Sequence, residues 1–128
     1  MVDIVHDRKD QLKRIQQLLV TGERLYAVFD LKGGGTGFIG ITDLRLVFMD
    51  QAFLRKQKAI VSVPYTRITA VGAEDSGKLI LSSILGSSTL FVLTPTKDWT
   101  FIFRSNDKAH LAYGLIMRNL LQLEAKGL

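Results

Sequence analysis

The chain has 128 residues, 47% of them hydrophobic and 23% charged, which suits one compact domain with a real core and leaves no room for a second. It has no cysteine, so disulfides, thiolate metal sites and thiol nucleophiles are excluded, and its two histidines, His6 and His110, lie at opposite ends on predicted helices. The 17 basic and 12 acidic residues give a net charge of +5, a mild excess that eases contact with anionic surfaces without naming one.

The first ten residues, MVDIVHDRKD, mix acids and bases and hold no apolar core of a secretory signal. No apolar run has the length of a membrane span, so a cytoplasmic protein is expected. Within an N-terminal segment of residues 1–20, Val5, Leu12, Ile15 and Leu19 recur at helical spacing and predict a helix over 3–20, stopped by Thr21 and Gly22.

From 23 to 104 the texture changes to short β-branched and aromatic runs separated by Gly, Asp, Ser and Pro, the pattern of an antiparallel sheet of seven or eight strands. The runs are RLYAVFD, TGFIGIT, LRLVFMD, AIVSVPY, ITAVGAE, KLILSSI, TLFVLT and WTFIFR. Pro64 marks a strand end or edge. DSGK (75–78), GSS (86–88) and TPTKD (94–98) read as hairpin turns. MDQAFLRKQKA (49–59) reads as a polar loop reaching away from the sheet. A closing helix over 106–125 is capped by Ser105 or Asn106, with Asp107 at the positive end of its dipole. Leu111, Leu115, Ile116, Leu120 and Leu121 form its stripe, and Tyr113, Met117 and Leu123 widen the apolar surface beyond one face. The predicted fold class is therefore mainly β (α+β), one domain over 1–128.

The glycine-rich DLKGGGTGFIG raises the question of a phosphate site. Gly35, Gly37 and Gly40 satisfy G-x-G-x-x-G, but dinucleotide binding needs those glycines to open a helix, and here they lead into the strand FIGITDLRLVF. No Gly-Lys-Ser/Thr follows, so a Walker loop is excluded too. The run reads as a hairpin connection, and Gly40 inside the strand marks a bulge or a close backbone approach. No G-x-S-x-G elbow, HExxH, EF-hand loop or carboxylate cluster at metal-ligand spacing occurs, so no catalytic residue, metal ligand or cofactor is assigned and a non-catalytic protein is expected.

In TDLR, Thr42 and Asp43 are suited to tie a tight turn to the backbone, while Leu44, Leu46 and Phe48 alternate with Arg45, Val47 and Met49. Arg45 reads first as a structural residue paired with an acid or a carbonyl across the sheet, with ligand binding as the alternative. Taken in order, LLVTGERLYAVFD, ITDLRLVF and SVPYTRITAV, followed by hairpins and one closing helix, resemble the bacterial pleckstrin-homology (PH) domains, in particular the YokE-like group, and the GRAM variants of that superfold. The resemblance covers about residues 18–123.

It implies a bent antiparallel barrel of about seven strands capped by the C-terminal helix, with the extra N-terminal helix packed outside it or on another subunit. It also implies an interaction module rather than an enzyme. Two partner classes follow, and no nucleic acid is expected. A protein partner or a second copy, giving a homo-oligomer, would use Tyr113, Met117 and Leu123 together with the N-terminal helix. An anionic membrane surface at the inner face of the membrane would meet Lys32, Arg55, Lys56 and Lys58 on the loops after the first and third strands, with Phe53 and Leu54 beside them. The second strand, FIGIT, carries no basic residue, so any such headgroup contact would be of low specificity.

Overall fold

A computed structural model describes residues 3–32, 37–54, 57–75 and 86–127, with the side chains of 50–54, 57 and 58 left aside. The chain divides into two compact units, residues 1–65 and 66–128.

In the first unit, β1 (Val5–His6), β2 (Leu25–Asp30), β3 (Phe38–Thr42), β4 (Arg45–Leu54) and β5 (Gln57–Pro64) form one sheet in that order. Every pair is antiparallel except β1 with β2. The expected 18-residue N-terminal helix is much shorter. Only α1 (Lys9–Gln16) is helical, because Val5 and His6 pair as strand with Ala27 and Val28, and the chain turns after Gln16. Gly22 has the expected positive φ, +86°, and serves a turn closed by Glu23 N–H donating to the Val20 carbonyl at 3.0 Å.

Helix α1 lies on its own sheet. Ile15 is fully buried among Leu25, Val28, Phe38, Val47 and Met49, with Ile4, Leu12, Leu18 and Leu19 around them. On the opposite sheet face Ala27, Phe29, Ile39, Ile41, Leu46, Phe48 and Val63 are also buried. The alternation expected of 44–49 therefore does not separate core from solvent, since 46–49 are apolar and buried on both sides. Gly40 is the anticipated close approach rather than a bulge. A Cβ there would sit 2.8 Å from Ile15 Cγ2, so the helix rests on bare backbone. The register shift falls instead between Leu25 and Ala27.

The described residues of the segment 49–59 are strand rather than loop. Strands β4 and β5 run on as a long hairpin through Asp50↔Ala59 and again at Leu54↔Gln57, with a register shift between. Polar composition misled here because a two-stranded ribbon tolerates polar residues on both faces. Pro64 ends β5, the outermost strand on that side, as its missing N–H requires. A short 3-10 turn, Tyr65–Arg67, follows.

The second unit holds β6 (Ala70–Asp75), β7 (Ser88–Leu93) and β8 (Asp98–Phe103), all antiparallel, and helix α2 (Lys108–Ala125) packed on them. Residues 76–85, with the predicted strand KLILSSI and most of the DSGK turn, lie outside the described residues. The TPTKD turn closes as expected, through Thr94 N–H to the Lys97 carbonyl at 3.0 Å. Among the described residues the strands thus form two separately hydrogen-bonded sheets rather than one closed barrel, and the fold is mainly β with a helix at each end of the sequence.

Two further expectations are corrected. Asp107, not Ser105 or Asn106, occupies the N-cap of α2, and its carboxylate accepts from Ser105 Oγ at 2.7 Å instead of capping the helix. The cap comes from the sheet. The buried Ser88 hydroxyl accepts from Ala109 N–H at 3.0 Å and donates to the Ser105 carbonyl at 2.7 Å. The buried stripe of α2 is also rotated from the predicted one. It consists of Ala109, Ala112, Ile116, Asn119 and Leu120, while Leu111 and Leu121 face solvent and Leu115 is half-buried. Small alanines let the helix approach the sheet closely, which moves the leucines outward.

Candidate functional site

The best-defined polar constellation joins the turn before β2 to the β3–β4 turn. The Glu23 side chain has no solvent exposure. Its two carboxylate oxygens accept from Arg45 Nε at 2.8 Å and from a terminal nitrogen at 2.9 Å, a bidentate pair. Thr42 Oγ1 donates to the same carboxylate at 2.7 Å, and Val20 N–H at 3.1 Å. Arg45 also donates to the Leu18 carbonyl at 3.0 Å and to Ser62 Oγ at 2.8 Å.

Thr42 Oγ1 further accepts from the N–H groups of Leu44 and Arg45, both at 3.0 Å, and Asp43 Oδ1 accepts from Arg24 N–H at 2.9 Å. The turn chemistry expected of Thr42 and Asp43 is therefore present. Burial alone would raise the Glu23 pKa, but the Arg45 guanidinium, the Thr42 hydroxyl and the Val20 amide outweigh it and hold the carboxyl at about 2, against an ordinary 4.5. Nearby, the Tyr65 hydroxyl donates to the Thr42 carbonyl, and burial, with the Asp43 charge second, pushes its pKa up.

This cluster is bonded mostly to itself. Four of the five Arg45 N–H groups and both Glu23 oxygens are committed internally, which is the pairing with an acid and a carbonyl that the structural reading of Arg45 expected. Sequence reasoning did not find its partner Glu23, although the Gly-Glu that precedes the first long strand was the available signal. Ser62 and Ser88 were missed altogether. A hydroxyl's partner is set by tertiary contact, and no local pattern announces it.

The two groups of candidate interaction residues fall in different units. Lys32 follows β2 and is half-buried. Arg55 and Lys56 lie outside the described residues. Lys58 lies in β5, and its side chain is among those left aside. The β2–β3 and β4–β5 connections leave the sheet at the same end, beyond the pairs Asp30↔Phe38 and Phe38↔Met49. Residues 33–36 of the glycine run are outside the described residues, but Leu31 N–H donates to the Gly37 carbonyl at 3.0 Å, and a Cβ on Gly37 would meet the Met49 carbonyl at 2.8 Å. The run's described flanks thus belong to a hairpin.

On α2, Tyr113 is exposed, and Met117 and Leu123 are half-buried. The apolar side of α1, by contrast, is spent on its own sheet and offers nothing to a partner. Among the described residues no three His, Asp or Glu side chains gather as a metal site, and no helix is long and apolar enough to cross a membrane.

No family model matches the chain. It is similar to the uncharacterised protein YozO of Bacillus subtilis (strain 168), with 30% identity over 70 residues, 55% of this chain. The match spans only 59% of that relative's length. Among solved structures it is similar to the crystal structure of a pleckstrin homology domain from Shewanella amazonensis SB2B, with a TM-score of 0.58, 16% identity and 85% of each chain covered. At that identity the likeness establishes architecture, and the architecture of this chain is PH-like.

Proposed function

We propose that the chain is a non-catalytic PH-like interaction module of the bacterial cytoplasm, akin to the YokE-like and GRAM-like domains, and that it works through protein contacts, self-association first. The observation that carries this reading is the apolar surface that α2 leaves open, where Leu111, Tyr113 and Leu121 remain 44%, 38% and 52% exposed, while both oxygens of Glu23 are bonded within the chain. Sedimentation at micromolar concentration tests it. A mass above that of one chain is expected, and a strict monomer removes the case for self-association.

A second reading has one observation in its favour. The β2–β3 connection, which follows Lys32 in sequence, and the β4–β5 connection, whose sequence holds the basic candidates, leave the first sheet at the same end, which supports this reading. Weak, low-specificity binding of anionic headgroups there predicts flotation with phosphatidylglycerol vesicles at low salt, lost at high salt and in a variant with all four residues changed to Ala. Flotation that survives those four changes would exclude the basic loops as the contact.

A further inference from the structure

Helix α2 contains a glycine that its own fold does not require. Gly114 lies within Lys108–Ala125, its φ is not positive, and a Cβ placed on it would meet nothing within 4 Å. Glycine inside a helix is less favourable than alanine, so among the described residues this position weakens the helix with no packing return. What surrounds it gives the reason. His110, Tyr113, Gly114 and Met117 stand at i, i+3, i+4 and i+7 on one side of the helix, the four corners of a hole that receives one side chain from a facing helix. The missing side chain at 114 deepens that hole. Farther along the same side Leu121, at 52% exposure, is a knob without a socket among the described residues.

We propose that α2 pairs antiparallel with α2 of a second copy about a two-fold axis at Met117. This rests on the self-association reading and specifies its surface. Tyr113 and Leu121 are equidistant from Met117 in sequence, so the axis puts each Leu121 into the other copy's hole of His110, Tyr113, Gly114 and Met117. His110 and Glu124 are equidistant as well, so each imidazole meets the other copy's carboxylate. The surface is thus complementary to itself in shape and in hydrogen bonding, an imidazole N–H facing a carboxylate, as a two-fold interface demands. An anionic bilayer fits the same side poorly, because Glu124 stands on it.

The test uses the full chain, whose lack of cysteine makes single-cysteine probes clean. Sedimentation across a micromolar concentration series is expected to show a dimer, with Leu121→Glu raising its dissociation constant at least about tenfold. His110→Glu weakens it through carboxylate repulsion, and Glu124→Lys added to that variant restores it. Under mild oxidation Met117→Cys forms a disulfide-linked dimer, because residues on the axis face their own copies, while Gln122→Cys does not. Circular dichroism confirms that each variant is folded. A monomer at every concentration would overturn both this proposal and the self-association reading. A dimer that survives Leu121→Glu and gives no cross-link at Met117→Cys would overturn this surface alone.

Discussion

The two units each lay a helix on a sheet, yet they dispose of the helix's apolar residues differently. In the first, Ile15 penetrates to bare backbone at Gly40, and the chain leaving α1 is held by Arg45 on the Leu18 carbonyl and by Glu23 on the Val20 amide. What α1 leaves exposed is polar and charged, including Lys9, Lys13 and Arg14. In the second, α2 is seated by Ala109 and Ala112 and fastened at its start by Ser88, and three large apolar side chains stay outside. The first arrangement is finished within one chain. The second carries apolar surface in excess of what its sheet can cover.

That contrast can be broken most forcefully at Arg45. Arg45→Met leaves a fully buried carboxylate without its counter-charge, and a loss of about 3 to 5 kcal/mol is expected in urea unfolding. Survival with less than about 1 kcal/mol lost would mean that the cluster does not hold the first unit together. The same cluster sets a pH dependence. The folded-state pKa of Glu23 lies below its ordinary 4.5, so its stabilisation is complete above that value and is lost as pH falls toward about 2. Unfolding followed by far-UV circular dichroism should show this loss between those limits, and Arg45→Met should flatten it.

Gly40→Val comes next, at about 2 kcal/mol, because the new side chain overlaps Ile15. Combining it with Ile15→Ala should recover part of that loss, and additive losses would show that the two positions do not touch. In the second unit Ser88→Ala strands the buried Ala109 amide and should cost about 1 to 2 kcal/mol. The smallest effect has the opposite sign. Gly114→Ala should stabilise the dilute chain by about 0.5 to 1 kcal/mol, since nothing among the described residues occupies that space. Destabilisation there would show that the glycine serves its own fold.

Much of this architecture was legible in the residues. The strands through TGFIGIT and LRLVFMD, the turn at Thr42 and Asp43, the structural reading of Arg45 and the edge position of Pro64 all follow from side-chain period and turn chemistry. The failures share a cause. The length of the N-terminal helix, the strand character of 49–59, the rotation of α2 and the Ser88 cap each depend on which other segment lies alongside, and a local window holds no information about its neighbours. The basic candidates Lys32, Arg55, Lys56 and Lys58 illustrate the same boundary. Charge was easy to read, but which connections leave a sheet at the same end depends on strand register.

The short parallel strand Val5–His6 has a consequence for handling the protein in solution. By pairing with Ala27 and Val28, and through Asp7, whose N–H donates to the Val28 carbonyl and whose carboxylate accepts from Asp30 N–H, it occupies hydrogen-bonding groups that β2 would otherwise present to any passing chain. Proteolytic trimming just past Asp7 would remove that cover and leave LYAVFD, an aromatic and β-branched sequence, as an open template for aggregation.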